Sequence, residues 1–357
     1  LLQLSERYSG TEVPQLEAID LKKEGPQKGR WISPRLETAI KETVARGEQA
    51  LLFLNRRGYA PLTLCRSCGL RMRCVNCDTW LVEHRYRKRL VCHHCGFDMP
   101  PPQHCPKCET ADSFVPIGPG VERLEEEVLA AFPEARTLVL SSDMSGGVER
   151  LRAELEAVTN RDVDIVIGTQ LVAKGHHFPG LALVGIIDAD LGLNYGDPRA
   201  AERTFQLLHQ VVGRAGREKV GGRGLLQTYQ PDHPVMKALL AGDRDAFYDS
   251  EIASREEAHL PPFGRMVAII VSAKDGPTAE SHARKLAANA PISEDVRLLG
   301  PAEAPLSMIR GRHRWRLLVT SPRNFDLSHY VREWLEAGPP AKGSVRVQID
   351  VDPQSFL

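Results

Sequence analysis

Cys65-Arg66-Ser67-Cys68, Cys74-Val75-Asn76-Cys77, Cys92-His93-His94-Cys95 and Cys105-Pro106-Lys107-Cys108 follow one another in a single stretch that holds all eight cysteines of the chain. A Cys-x-x-Cys knuckle puts two thiolates on one tight turn, where both reach the same tetrahedral ion. Two knuckles complete a four-cysteine zinc site. Four knuckles therefore imply two Zn2+ ions. Fourteen residues lie between Cys77 and Cys92, close to zinc-ribbon spacing. Trp80–Tyr86 and Arg89–Val91, between those knuckles, read as a hairpin of strand formers. Loop lengths thus favour a nested pairing, with Cys74, Cys77, Cys92 and Cys95 on one ion and Cys65, Cys68, Cys105 and Cys108 on the other. Pairing sequence neighbours would leave five residues between Cys68 and Cys74, which is tight. A cross-braced pairing, first with third and second with fourth, stays open at this point. Disulfide or redox use is disfavoured, because redox dithiols rarely come in fours and no secretory segment opens the chain.

Outward from this stretch, the 357 residues suffice for two or three domains. The 46 basic and 46 acidic residues cancel, so global charge says nothing of nucleic acid. Locally, Arg66, Arg71, Arg73, Arg85, Arg87, Lys88 and Arg89 face only Asp78 and Glu83 up to Cys95. Such a run is a solvated hairpin tip or a phosphate contact. No apolar run reaches the ~18 residues of a membrane span, so no membrane association is expected, and clustered thiols without a signal peptide point to the cytoplasm. A start at Leu1 together with the missing motifs below suggests a piece of a longer protein.

Residues 1–30 are polar and punctuated, and read as a connector. Ser33-Pro34 opens a helix with Leu36, Ile40 and Val44 on one face. Leu51–Leu54 is a buried strand. After the cysteines come a helix from Val121 to about Phe132, a strand at Leu138–Leu140 and a helix over Val148–Val158. Strands at Asp164–Gly168 and Ala182–Ile187, a helix over Ala200–Val212 and a strand at Gly224–Tyr229 complete this domain. Alternating strands and helices predict a parallel sheet wrapped by helices, over 31–64 and 113–259, with the cysteine-rich module of 65–112 inserted after a strand. Pro234–Ala258 is a charged helical stretch. In 260–357 the order β-α-β-β-α-β predicts a small ferredoxin-like α+β domain.

Two constellations carry chemistry. Gly168-Thr169-Gln170-Leu171-Val172-Ala173-Lys174-Gly175-His176-His177 follows a buried strand, at the sheet edge where open α/β folds bind ligands. His176 and His177 have no carboxylate or cysteine beside them and are not read as metal ligands. Gln210-Val211-Val212-Gly213-Arg214-Ala215-Gly216-Arg217 places Gln210, Arg214 and Arg217 at i, i+4 and i+7, on one face of a continuous helix, where two arginines can grip a polyphosphate. Singly, each has an ordinary surface explanation.

Together, in this order, they resemble motifs V and VI of superfamily 2 helicases, with Leu51–Tyr59 similar to motif IV. The eight-cysteine insertion, Lys174–Pro179 and Ile349-Asp350-Val351-Asp352-Pro353 narrow the resemblance to the replication-restart DNA helicases, over nearly the whole chain. That resemblance implies a second RecA-like lobe with a two-zinc insertion, belonging to an ATP-dependent 3′-to-5′ DNA helicase of stalled or repaired forks that promotes primosome assembly. It implies the nested zinc pairing, DNA contact or coupling by Thr169, Gln170 and Lys174, and catalytic roles for Gln210, Arg214 and Arg217. It further implies ATP and Mg2+ held with another lobe. The implied partners are forked or single-stranded DNA, the C-terminal tail of single-stranded DNA-binding protein, other primosome proteins and the replicative helicase. Arg310, Arg312, His313, Arg314 and Arg316 around Trp315 suit a strand or an acidic tail, or a solvated loop. No Gly-x-x-x-x-Gly-Lys-[Ser/Thr] loop or Asp-Glu-x-His acid pair occurs, so this chain alone is expected not to hydrolyse ATP. The alternative is a non-catalytic zinc-containing scaffold that binds forks and partners.

Overall fold

The computed structural model describes residues 14–27, 29–55, 63–65, 67–75, 81–84, 89–92, 96–111, 113–116, 121–140, 147–173, 178–193, 197–216 and 221–354. Along the chain these form β1 (Gln15–Asp20), α1 (Pro34–Ala45) and β2 (Gln49–Phe53). The cysteine-rich stretch adds β3 (Thr63–Cys65), β4 (Val82–His84), β5 (Arg89–Val91), β6 (Asp98–Met99) and β7 (Phe114–Pro116). Then come α2 (Val121–Ala131), β8 (Thr137–Leu140), α3 (Gly147–Thr159), β9 (Ile165–Gly168), α4 (Gln170–Ala173) and β10 (Leu181–Ile186). They are followed by α5 (Ala200–Val212), β11 (Arg223–Thr228), α6 (Pro234–Ala241) and α7 (Arg244–Glu257). The last six are β12 (Gly264–Ala273), α8 (Gly276–Ala288), β13 (Arg297–Ile309), β14 (Arg312–Pro322), α9 (Leu327–Ala337) and β15 (Arg346–Val351). Two compact units result. One comprises 1–57, 118–193 and 202–247, the other 58–117, 194–201 and 248–357.

In the first unit the sheet runs β1-β11-β10-β2-β9-β8, every pair parallel. Its inner strands are apolar because helices cover both faces: every residue of β2, β9 and β10 is buried. Ser33 caps α1, its hydroxyl accepting from the Leu36 amide, and Pro34 supplies the fixed first turn. Leu36 then packs over Gly185 of β10, where a Cβ would lie 2.8 Å from the leucine Cδ1. This is the parallel, helix-wrapped sheet that the strand–helix alternation predicts.

Residues 15–20 depart from the expected connector. They form the edge strand β1, paired along its length with β11. Glu17 fixes it from outside, accepting from Arg223 at 3.0 Å and pairing with Arg35. Such a strand has only one sheet neighbour, so its sequence stays polar and hides the alternation. The helical stretch expected at Pro234–Ala258 is present as two helices, α6 and α7. Gly242 takes a left-handed backbone (φ 67°) that ends α6, as glycine permits. The residues after Phe247 belong with the second unit.

Within the second unit, β12–β15 form an antiparallel sheet of order β13-β14-β12-β15. With α8 and α9 this is the ferredoxin-like arrangement expected from sequence. Trp315, Leu317 and Val319 of β14 meet both helices in one core, and Trp334 of α9 donates its indole N–H to the Leu286 carbonyl at 3.0 Å. β13 is longer than the expected Val296–Leu299. It runs through Pro301 and Pro305 with two register shifts against β14, which an edge strand tolerates.

Candidate functional site

Three of the four knuckles share one backbone geometry. Each cysteine carbonyl accepts from the amide four residues on: Gly69 to Cys65, Gly96 to Cys92 and Glu109 to Cys105, at 2.8, 2.9 and 2.8 Å. Each cysteine amide donates five residues on, to Leu70, Phe97 and Thr110. The residue four on is left-handed in each case, with φ of 71° at Gly69, 82° at Gly96 and 57° at Glu109. Glycine after the second cysteine was thus a legible signal that the spacing argument missed. Glu109 pays a steric penalty that its two counterparts avoid. Glu109→Gly is expected to slow zinc loss to a chelator and to stabilise this turn by up to about 1 kcal/mol. Unchanged release would show that the turn is unstrained.

The first and fourth knuckles come together. The sulfurs of Cys65, Cys68, Cys105 and Cys108 lie within 4.8 Å of one another, with Cys65–Cys108 at 3.6 Å and Cys68–Cys105 at 3.7 Å. A zinc tetrahedron with bonds of about 2.3 Å has sulfur–sulfur edges of about 3.8 Å, so this set fits the ion. The pairing of β3 with β7 closes the base. Thiol electrostatics agree. Hydrogen bonds from the Thr110 hydroxyl and amide pull Cys108 down to about 6, while burial, with the neighbouring thiols, pushes Cys68 up to about 12. Burial raises Cys65 too, but the Ser113 hydroxyl, 3.2 Å away, and the amides of Cys68 and Ser67 outweigh it. A cluster that gives up one proton readily and holds another is one that a divalent cation relieves.

For the inner set, Cys74 and Cys92 are buried with Met72, Leu81 and Leu90. Cys77 and Cys95 lie outside the described residues. The expected hairpin is present as β4–β5, extended by β6 into three strands. Of the basic residues counted around it, Arg71 is buried, Arg89 pairs with Asp98 and Arg73 is exposed. Arg66, Arg85, Arg87 and Lys88 lie outside the described residues.

In the first unit, Thr169 follows β9 and is buried, its amide reaching the Leu140 carbonyl at 3.3 Å. Gly168 makes the turn into α4 possible, since a Cβ there would collide with the Val172 side chain. Gln170 opens α4. Lys174, His176 and His177 lie outside the described residues. Gln210 and Arg214 do not share the helical face expected of them. Helix α5 stops at Val212 and tightens, Arg214 and Ala215 donating to Val211 and Val212 instead of continuing the helix. Gln210 is left exposed, whereas Arg214 is buried and donates to the Ala173 carbonyl at the end of α4. Gly216 donates to Leu181 at 2.9 Å, and Gly222 packs flat on Ala215. Sequence spacing could not foresee this, because it assumes that the helix continues. The two constellations are joined through Arg214. Arg217 lies outside the described residues.

The C-terminal basic cluster is divided by the sheet. Trp315 and Arg316 are buried, Arg312 is bonded to Ser272 and Ser344, and Arg310 stays exposed in the β13–β14 turn. Arg310 and Gly311, both left-handed (φ 50° and 70°), form that turn.

Family models match in two places: residues 74–100 match the PriA DNA helicase Cys-rich region (CRR) domain, and 256–354 the primosomal protein N C-terminal domain. Among curated relatives, the replication restart protein PriA of Rickettsia conorii is 42% identical over 356 residues, covering 100% of this chain and 55% of its own. That of Bacillus subtilis is 36% identical over 365 residues, covering 100% and 45%. The chain thus spans about half the length of the relatives it matches. Among solved structures, S. cerevisiae Dbp5 L327V bound to RNA and ADP BeF3 is 11% identical with a TM-score of 0.32, over 66% of this chain and 40% of that one.

Proposed function

The chain belongs to the family of PriA replication restart proteins, and from that premise we propose that it supplies one motor lobe, the zinc module and the C-terminal domain of an ATP-dependent 3′-to-5′ DNA helicase acting at stalled or repaired forks. The observation that supports this reading best is the bond from Arg214 to the Ala173 carbonyl. It ties the end of α4, next in sequence to Lys174, to the turn that precedes Arg217 in sequence; Thr169, Gln170 and Lys174 would follow the DNA strand, and Arg217 would meet the γ-phosphate. A shift on one side then moves the other, which is what a motor requires. Gln210, exposed on the last turn before that loop, would orient the phosphate or the attacking water. Bound ATP and Mg2+ would supply the phosphoryl chemistry and shield its charge. The residues of this chain position and stabilise it. Other primosome proteins, the replicative helicase and the tail of single-stranded DNA-binding protein are the partners this role calls for, in the cytoplasm.

The nested cysteine sets would each hold one structural zinc and present the basic hairpin toward the fork. No helix of the described residues is long and apolar enough to cross a membrane.

Strand displacement by the full-length protein tests the reading. Forks carrying a single-stranded 3′ arm should be unwound when ATP is present, and forks carrying only a 5′ arm should not. Displacement that requires the 5′ arm, or none on either, would overturn it. Arg214→Lys keeps the charge but loses the planar fork. It is expected to uncouple the loops, leaving fork affinity within twofold while unwinding falls about tenfold. Unwinding at the wild-type rate would refute that link.

A further inference from the structure

Ser113 holds one hydroxyl between the two knuckles that form the outer cysteine set. It directly precedes β7, whose Phe114 pairs in register with Cys65 at the end of β3, and it is 6% exposed. Its Oγ lies 3.2 Å from the Sγ of Cys65, in the first knuckle. The same oxygen lies 3.0 Å from the Thr110 carbonyl, in the turn that follows the fourth. That carbonyl also accepts from the Cys105 amide at 3.0 Å, and a bridge between His104 and Ala111 closes the turn.

A serine hydroxyl has a single proton to donate, and here two acceptors are in reach. A thiolate bound to zinc has given up its own proton, so toward it the hydroxyl can only donate. A hydrogen bond to a charged acceptor is roughly twice as strong as one between neutral groups. The Thr110 carbonyl keeps its amide partner whichever way the hydroxyl turns. With zinc bound, the proton therefore belongs on Cys65. The thiolate is buried, so solvent offers no replacement donor. Its backbone donors, the amides of Ser67 and Cys68, belong to the first knuckle itself. Ser113 reaches it instead from the strand that closes the base of the site. Groups that hold metal ligands from outside tune metal affinity.

We propose that Ser113 is a positioning residue for the outer zinc, its hydroxyl donating to the Cys65 thiolate and slowing loss of the ion. The proposal rests on the reading of Cys65, Cys68, Cys105 and Cys108 as a zinc site. It makes zinc retention depend on the pairing of β3 with β7, which sets the hydroxyl in place. A serine that only tied down the Thr110 turn would leave the thiolate untouched.

The test is zinc release from the full-length protein into excess chelating dye. The phase that Cys105→Ser abolishes belongs to the outer site. Ser113→Ala should accelerate that phase about tenfold and leave the rest unchanged. Ser113→Thr retains the hydroxyl and should stay near wild type. Loading the same proteins with Co2+ gives a readout that turn stiffness does not move. A hydrogen bond lowers the energy of the sulfur lone pairs, so its removal should shift the sulfur-to-cobalt charge-transfer absorption to longer wavelength. The shift is expected in Ser113→Ala and not in Ser113→Thr. Unchanged release or an unshifted band in Ser113→Ala would overturn the proposal, as would a threonine variant that behaves like the alanine one. A protein in which Cys105→Ser abolishes no phase would instead overturn the zinc reading beneath it.

Discussion

Arg217→Ala is expected to lower fork-stimulated ATP hydrolysis by the full-length protein about a thousandfold, the lower end of what removal of an arginine finger costs. The reason lies in the turn that leads to it. Gly213–Gly216 ends α5 and is held by Arg214 on Ala173, by Gly216 on Leu181 and by the close approach of Gly222 to Ala215. Arg217 follows this turn directly in sequence, and a guanidinium at the γ-phosphate would stabilise the charge that develops there. Fork binding should survive, because the DNA contacts are proposed for Thr169, Gln170, Lys174 and the zinc module, not for Arg217. Gly222→Ala probes the same anchor from behind. A Cβ there would lie 2.5 Å from the Ala215 carbonyl carbon, so hydrolysis should fall in the same direction. Full hydrolysis in the Arg217→Ala protein would remove it from the catalytic machinery.

Cys105→Ser is the second large effect. Cys105 is 1% exposed and sits among the four clustered thiols. Structural zinc supplies about 10–16 kcal/mol to small zinc-finger peptides, far more than the short β3–β7 pair and the His104–Ala111 bridge can replace. Zinc content should fall from two ions per chain to one. The segments around Thr63–Cys65 and Phe114–Pro116 should become sites of rapid proteolysis. Two retained ions and unchanged proteolysis would rule out these four cysteines as a metal site.

Much of this was legible because the signals are local. Thiol spacing pointed to the nested pairing, and the outer set brings the first and fourth knuckles together as that pairing requires. Buried runs such as Leu51–Leu54 read most simply as inner parallel strands, and the β-α-β-β-α-β order after Phe263 led directly to the antiparallel sheet. What was hidden depends on distant residues. β1 exists because β11 offers it an edge, which nothing in Gln15–Asp20 reveals. Arg316 reads as surface charge until the other side of its sheet is known to be covered. The helical spacing of Gln210 and Arg214 failed for a nearer reason. Gly213 and Gly216 permit the helix to end, and a buried bond to Ala173 rewards Arg214 for turning inward.

The most direct measurement is ATP hydrolysis by the full-length protein with and without forked DNA. The account predicts turnover that the fork stimulates. A protein that binds the fork but hydrolyses no ATP in either condition would contradict it, leaving a zinc-containing scaffold built on a helicase lobe.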